Sequence, residues 1–237
     1  MVKVPRADRR TRIAIASEQS LVTEAVKVAL SSRGFETGTV RWPGDAPSRP
    51  PAPRPAFDAG LLLSELDRVS RLRAAMLVTE RLKIRWAVLT SAPRGPLWGA
   101  LFTAGAAVVL PSETPLDEVV AALEGLSRRP GAVIDGREEL MAAWGRLQAE
   151  HEELVVRVAT LTPREREVLI MLHSGDTVAG IASILEVAPA TVRSQVKAVL
   201  RKLDVNSQLA AVAAYGMLLE RQRSEQECES QPIASGC

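Results

Sequence analysis

The sequence predicts an α/β domain with a doubly wound, five-stranded parallel sheet, followed by a linker helix and an all-α domain. Two observations predict this fold class. Short apolar runs alternate with helical periodicity through the first half of the 237 residues, an order typical of a parallel sheet covered by helices on both faces. Hydrophobic residues make up 46% of the chain and aromatic residues only 3%, so the cores must be aliphatic, which favours helices and buried parallel strands.

Five strands and four helices are predicted within residues 1–128. The strands are expected at Arg12–Ala16, Phe35–Val40, Gly60–Leu63, Arg85–Thr90 and Ala106–Leu110. The helices are expected at Glu18–Leu30, Ser64–Arg81, Gly95–Ala104 and Thr114–Leu126. Residues 42–57 contain six prolines, which remove backbone donors and fix φ, so an exposed loop is expected there. A ligand for a proline-recognition domain is the alternative for this segment.

A long helix is predicted from Arg137 to Ala159, after a turn-forming segment. One stripe of side chains repeats along it at heptad spacing: Leu140, Trp144, Leu147, His151, Leu154 and Val158. Such a stripe either packs against the protein's own domains or forms a short dimer seam, and both interpretations stay open. His151 is interpreted as a packed residue because no second metal ligand accompanies it.

Four short helices are predicted between Leu161 and about Leu219. Thr162 and Glu165 have the spacing of a capping box, and Pro163 suits the first helical position. The first helix ends at Ser174-Gly175. The others are expected at Val178–Leu185, Pro189–Leu203 and from Ser207 onwards, with a tight break at residues 186–189.

The helix Pro189–Leu203 has an apolar face and a basic face. Its net charge is +4, and the basic face carries Arg193, Ser194, Lys197 and Arg201. Two short helices joined by a tight turn, the second one basic, suit docking into a DNA major groove. A charged helix face is more often simply solvated, so this feature alone is weak support for DNA binding.

The segment LTPREREVLIMLHSGDTVAGIASILEVAPATVRSQVKAVLRKLDVNSQLAAVAAY closely resembles the LuxR-type helix-turn-helix of NarL-like regulators. The resemblance covers residues 161–215 without a gap and includes LTPRE, TVRSQV, LRKLDV and the alanine-rich final helix. It implies a duplex DNA partner and, through the final helix, pairing of two copies on two half-sites. These implications are expectations about this chain.

The resemblance also implies roles for residues of the recognition helix. Arg193, Ser194 and Lys197 are expected to face the groove, and Thr191 and Lys202 to contact phosphates. The sequence departs from the family where Gln195 replaces a common histidine, Gln208 an arginine and Ala188 a serine cap, which leaves the target sequence open. The predicted DNA-binding residues are Thr191, Arg193, Ser194, Gln195, Lys197, Arg201 and Lys202.

The α/β unit, in this context, resembles the receiver domain of response regulators in its order of elements. Phosphoryl transfer in receivers needs Mg²⁺ and therefore clustered carboxylates at the carboxyl ends of parallel strands. The corresponding positions here are Ser17, Glu18, Leu63, Ser64, Thr90 and Ser112. One acid and one hydroxyl cannot hold Mg²⁺ and stabilise a transferring phosphoryl group, even with Glu65 nearby. An atypical receiver without aspartyl phosphorylation is expected, with Thr90 as a strand-end hydroxyl in local hydrogen bonds.

Composition narrows the class of protein further. The net charge of +2 gives no general sign of a nucleic-acid partner. Cys228 and Cys237 have no metal-ligand spacing, which excludes a disulfide framework and indicates a reducing compartment. No signal peptide and no apolar window of about 20 residues is found. A cytoplasmic protein is expected, with no catalytic site, metal or cofactor.

The resulting hypothesis is a dimeric transcription regulator that acts independently of aspartyl phosphorylation. Its predicted parts are a receiver-like domain (1–128), a linker helix (129–157), a helix-turn-helix domain (158–222) and a flexible tail (223–237). Besides duplex DNA, the expected partners are a second copy of the chain and either RNA polymerase or a small-molecule or protein ligand of the receiver-like domain. Two alternatives stay open: a response regulator phosphorylated at an unconventional residue, and an anti-regulator whose helix-turn-helix contacts another protein.

Overall fold

The computed structural model describes residues 10–43, 57–128 and 136–229. Most of the predicted proline-rich loop, the turn before the linker helix and the end of the predicted tail lie outside these residues. The chain divides into two compact units, residues 1–144 and 145–237, and each is described by itself. None of the described helices is long and apolar enough to cross a membrane.

The first unit contains one sheet of five parallel strands in the order β2-β1-β3-β4-β5. The strands are β1 (Arg12–Ser17), β2 (Glu36–Thr39), β3 (Ala59–Leu63), β4 (Trp86–Thr90) and β5 (Ala106–Pro111). Each predicted strand is confirmed to within one residue at either end. The carboxyl ends of parallel strands share one edge of the sheet, so the residues that follow them come together there.

Helices cover both faces of this sheet, as the doubly wound prediction requires. They are α1 (Ser20–Ser32), α2 (Val69–Arg81), α3 (Pro96–Thr103) and α4 (Leu116–Arg128). Ile13 and Ile15 of β1 pack into the core with α1 and α4. Ala14 and Ala16 pack into the opposite core with α2 and α3. Alternate residues of a strand point to opposite faces, so one apolar run serves two cores.

The helix that was predicted to begin at Ser64 begins at Val69. Leu66 has a φ of 56°, a left-handed conformation that cannot continue a right-handed helix. Its side chain is buried in the core against α2 and α3. Residues 64–68 therefore form a loop at the carboxyl end of β3, and the helical prediction for them was wrong.

The linker helix α5 spans Arg137–Ala159, as predicted. Leu140 and Trp144 pack against the core of the first unit, and Leu154 and Val158 pack in the core of the second. Leu147 is 41% exposed. Four of the six stripe residues thus pack within one unit or the other. This favours packing against the protein's own domains over a dimer seam.

The second unit contains four further helices around two small aliphatic cores. They are α6 (Pro163–His173), α7 (Val178–Ile184), α8 (Pro189–Leu203) and α9 (Gln208–Glu229). Leu169 and Val199 centre one core, and Val168 and Ile181 the other. α9 extends past its predicted end near Leu219, so residues 223–229, predicted as flexible tail, are helical. This extension is rich in Glu, Gln and Arg, which are good helix formers.

Gly99 allows α3 to approach α5 closely within the first unit. A Cβ atom at Gly99 would lie 2.0 Å from the backbone oxygen of Leu140 and 3.0 Å from Cβ of Trp144. A backbone atom cannot move aside as a flexible side chain can. The first turns of α5 are therefore packed on α3 through a contact that only glycine permits.

Replacing Gly99 with alanine is expected to reduce the free energy of unfolding by about 1–3 kcal/mol, the usual range for an overpacked core. Urea unfolding of the full chain measures the change. Gly125→Ala in α4 is the matched control, because a Cβ there meets nothing within 4 Å. This control should gain about 0.5–1 kcal/mol, since glycine is unfavourable within helices. Equal stability of the two variants would contradict the close crossing.

Candidate nucleic-acid interface

The N-terminus of α6 is fixed by the predicted capping box. The backbone N–H of Glu165 donates to Oγ1 of Thr162 at 3.3 Å, and the backbone N–H of Thr162 donates to Oε2 of Glu165 at 2.7 Å. Pro163 occupies the first helical turn. These contacts satisfy backbone donors that a helix start otherwise leaves without partners, so α6 has a well-defined beginning directly after the linker helix.

A tight turn joins α7 to α8. Glu186 adopts a left-handed conformation with φ of 52°, which ends the first of these helices. The N–H of Val187 then donates to the carbonyl of Ala182 at 3.0 Å, and its side chain packs against the core. Oγ1 of Thr177 caps the start of α7 by accepting from the N–H of Gly180 at 3.1 Å. The two helices are thus held in a helix-turn-helix arrangement.

Helix α8 is divided between a buried and an exposed face. Val192, Val196, Val199 and Leu203 are buried. The predicted DNA-binding residues that are exposed are Thr191, Arg193, Ser194, Lys197 and Arg201, while Gln195 is half-buried. Ala188 makes no side-chain cap at the start of the helix, as its sequence implied. The structure therefore brings five of the seven predicted residues to one surface.

Lys202 has a different environment from the other basic residues of α8. Its Nζ donates to Oε2 of Glu165 at 2.6 Å and to the carbonyl of Thr160 at 3.1 Å. Because each residue turns a helix by about 100°, Lys202 faces α6 whereas Arg201 faces solvent. The structure does not support the predicted phosphate contact for Lys202. Sequence reasoning missed this ion pair because its partners are 37 residues apart.

The ion pair changes the acidity of Glu165, whose side chain is 8% exposed. Burial alone raises the pKa of Glu165, but hydrogen bonds from Lys202 and Thr162 outweigh burial, and its pKa is lowered overall. A lowered carboxyl pKa means that the folded state favours the ionised form. Glu165 is therefore held as a carboxylate that joins the start of α6 to the end of α8.

The residues predicted for the degenerate phosphorylation pocket lie together at the carboxyl edge of the sheet. Ser17 is paired in register with Leu63. The N–H of Ser64 donates to the carbonyl of Leu89 at 3.1 Å, and the N–H of Ser112 donates to the carbonyl of Thr90 at 2.9 Å. Oγ1 of Thr90, itself buried, accepts from the N–H of Ala92 at 3.1 Å. Thr90 thus makes the local strand-end hydrogen bond that was predicted.

An arginine that sequence reasoning missed binds the carboxylates at this edge. Nε of Arg71 lies 2.8 Å from Oε2 of Glu18, and its Nη1 lies 3.0 Å from Oε2 of Glu65 and 2.8 Å from Oδ1 of Asp67. Arg71 reaches them because α2 begins late, so that residues 64–68 form a loop above the sheet edge. The guanidinium of Arg71 therefore forms ion pairs with three carboxylates.

Glu18 is the predicted residue most affected by this environment. Burial raises the pKa of Glu18, and the opposing attraction of Arg71 is too small to reverse the shift. Oε1 of Glu18 and Oγ of Ser64 are buried without a hydrogen-bond partner. Within the described residues, no group of three or more His, Cys, Asp or Glu side chains could hold a metal ion.

The region that contains α6, α7 and α8 is similar to known regulatory proteins. Residues 159–214 match the family model described as "Bacterial regulatory proteins, luxR family". Two curated relatives from Mycobacterium tuberculosis, strains CDC 1551 / Oshkosh and ATCC 25618 / H37Rv, are each described as "Probable transcriptional regulatory protein NarL". Each is 41% identical over 70 residues, which cover 29% of this chain and 32% of the relative. The chain thus spans about a third of the length of these relatives.

Solved structures of response regulators are also similar to the chain. Full-length FixJ from B. japonicum is 18% identical, with 90% of this chain and 98% of that one covered and a TM-score of 0.38. ChrA, a response regulator of a haem-sensing two-component system, is 20% identical, with coverages of 89% and 98% and a TM-score of 0.38. RcsB, in a structure described as a DNA complex, is 15% identical, with coverages of 88% and 98% and a TM-score of 0.36.

The lowered pKa of Glu165 predicts a dependence of stability on pH. A carboxylate whose pKa is lowered in the folded state stabilises the protein fully when the pH is above the ordinary carboxyl pKa of 4.5. This stabilisation is lost as the pH falls through the folded-state pKa. Glu165→Gln should cost about 2 kcal/mol at neutral pH, the range for a hydrogen bond to a charged group. The deficit should shrink progressively below the ordinary pKa of the carboxyl.

Thermal unfolding of the full chain between neutral and acidic pH measures this difference. Glu167→Gln on the same helix is the control, because Glu167 pairs with Arg164 at the surface, where both side chains are partly exposed. Exposed pairs contribute about 0–1 kcal/mol, so this variant should follow the wild type at every pH. A deficit of Glu165→Gln that stays constant down to strongly acidic pH would refute the assignment.

Proposed function

We propose that this chain, in which residues 159–214 form a LuxR-family helix-turn-helix domain, is a sequence-specific DNA-binding transcription regulator. It acts as a dimer and independently of aspartyl phosphorylation. The exposed basic face of α8 is the observation that carries the proposal. The proposed layout of the chain is a receiver-like domain (1–128), a linker helix (129–157) and a DNA-binding domain (158–222).

Helix α8 has the properties of a helix that reads the major groove. Arg193 is exposed in its N-terminal half, the part of a recognition helix that reaches base edges, and Lys197 is exposed one turn further along. An arginine at this place can donate two hydrogen bonds to guanine, and Gln195 can pair with adenine. Arg201 lies further along the exposed face and Thr191 near its start, where contacts to phosphates position the helix.

An apolar surface on α9 supports the dimer. Leu209 and Met217 are 78% and 60% exposed, and exposed Ala213 lies between them at a spacing of four residues. One such stripe can pair with its own copy across a two-fold axis. A dimer with this symmetry would present two recognition helices to two half-sites on one duplex.

The carboxyl edge of the sheet supports independence from phosphorylation. Leu63 ends β3 and Ser64 directly follows it, at the place where a receiver carries its phosphate-accepting aspartate. Glu18 is held by Arg71, so a fixed positive charge lies where a receiver binds Mg²⁺. Without an acceptor and a metal site, this domain would act through a small-molecule ligand, a protein such as RNA polymerase, or dimer contacts.

Selection from a pool of random duplexes tests the DNA-binding proposal with the full chain. The selected sequences should contain two half-sites about 10 base pairs apart, as expected for a helix-turn-helix dimer. Arg193→Ala should lose about 1–3 kcal/mol of discrimination between selected and scrambled duplexes. Arg223→Ala, which removes an exposed arginine of α9, is the matched control and should retain the wild-type preference. No enrichment at low ionic strength would refute the proposal.

Treatment with a small phosphodonor and Mg²⁺ tests the independence from phosphorylation. The intact mass of the chain should stay unchanged, while a conventional receiver treated in parallel gains one phosphoryl group. A gain by this chain that is lost on treatment with hydroxylamine would show an acyl phosphate. That result would favour the response regulator with an unconventional acceptor residue.

A further inference from the structure

Polar contacts join the end of the linker helix to the end of α8. Nη1 of Arg157, in the last turn of α5, donates to the carbonyl of Leu203 at 3.3 Å, and its Nη2 lies 3.6 Å from Oδ2 of Asp204. In the opposite direction, Nζ of Lys202 donates to the carbonyl of Thr160, directly after α5, at 3.1 Å. Together with the Lys202–Glu165 pair, these contacts are named the clasp.

The two halves of the clasp differ in strength because they differ in burial. The side chains of Lys202 and Glu165 are 27% and 8% exposed, so solvent screens their attraction little and loss of Lys202 would leave a buried carboxylate without its cation. Arg157 and Asp204 are 39% and 80% exposed, and such a pair alone contributes little. Arg157 adds a hydrogen bond to a carbonyl at the C-terminus of α8, where helix carbonyls lack partners within the helix.

The clasp lies beside an apolar contact between the same two helix ends. Val158 of α5 is buried in one core with Val199 and Leu203 of α8. The carbonyl of Val158 also accepts a hydrogen bond from Nη2 of Arg166 at 3.2 Å. The final turn of the linker helix and the final turns of α8 therefore pack together, and a displacement of one must displace the other.

We propose that Lys202 and Arg157 are positioning residues that set the orientation of α8 relative to the end of the linker helix. The inference rests on the proposed DNA-binding function. It means that the position of the linker helix would regulate DNA binding. Movement of α5 would change how the groove-facing residues of α8 meet base edges. In this assignment Lys202 acts through Glu165 and Thr160 and does not contact phosphate.

The dependence of affinity on salt separates a phosphate contact from a positioning role. Each phosphate contact releases a counterion, so loss of one contact reduces the slope of log K against log salt by about 0.9. A positioning residue contributes no counterion release. Its loss lowers affinity for the preferred sequence while the slope stays unchanged, because correct base contacts need the correct orientation of the helix.

The experiment uses full-length protein, a duplex from the selection and a scrambled duplex, with affinities measured over a range of salt concentrations. Lys202→Ala should lose about tenfold affinity for the selected duplex, the effect of one base contact that is no longer correctly placed. It should lose little affinity for the scrambled duplex and keep the wild-type slope. Lys202→Arg, which can still reach Glu165, should recover most of the preference. Arg201→Ala, at the neighbouring exposed position, should weaken both duplexes alike and reduce the slope.

A second pair of variants tests the contribution of the linker helix to the clasp. Arg157→Ala should reduce the preference for the selected duplex in the same direction and by a smaller factor than Lys202→Ala. Arg146→Ala removes an exposed arginine of the same helix that lies outside the clasp, and it should leave the preference unchanged. Because Arg157 belongs to the more exposed half of the clasp, its variant remains informative even where Lys202→Ala folds poorly.

Amide hydrogen exchange without DNA provides an independent measurement of the clasp. Exchange in the last turn of α8 should be faster in Lys202→Ala and Arg157→Ala than in wild type and Arg146→Ala. A reduced salt slope for Lys202→Ala, or unchanged exchange in both clasp variants, would overturn the inference. If the two clasp variants exchange faster than wild type but the wild-type protein prefers no duplex, the clasp exists and the proposed function is wrong, which removes the role in DNA reading.

Discussion

The burial of one face of α8 is the constraint on which the proposed interface depends. Val192, Val196, Val199 and Leu203 are buried against α6, α7 and α9, so the rotation of the helix about its own axis is determined by its apolar contacts. The charged side chains on the opposite face of the helix therefore face solvent. A basic helix that follows a tight turn and is held by its buried face has the shape of a helix that docks in the DNA major groove.

Both units contain a basic side chain that is bound by carboxylates of its own unit. Arg71 binds Glu18, Glu65 and Asp67 at the sheet edge, and Lys202 binds Glu165 between α6 and α8. In each place a cation stabilises acids that would otherwise repel each other or be buried at a cost. The structural consequence differs, because the first pairing binds Glu18 at the sheet edge whereas the second joins the start of α6 to the end of α8.

Elements with a strong local signal were predicted well from the sequence. The strands of the sheet, α5 and α8 have the predicted bounds to within one residue, because apolar periodicity and capping residues act over a few neighbouring positions. The start of α2 was not predictable in this way, since Leu66 leaves the helical conformation to place its side chain in a core built from distant residues. The extension of α9 lacks an apolar pattern and carries only intrinsic helix propensity, which is a weak signal.

The sequence by itself determined the order of the elements, the two-domain organisation and the LuxR-type segment with its basic helix. Local pattern is enough for these, because periodicity, capping and turn residues are all readable within a short window. Only the tertiary structure decided which basic residues of α8 face solvent and which acids surround Arg71. Those outcomes depend on pairs far apart in the chain, such as Lys202 with Glu165 and Arg71 with Glu18, whose approach follows from packing of whole helices and leaves no mark in the local sequence.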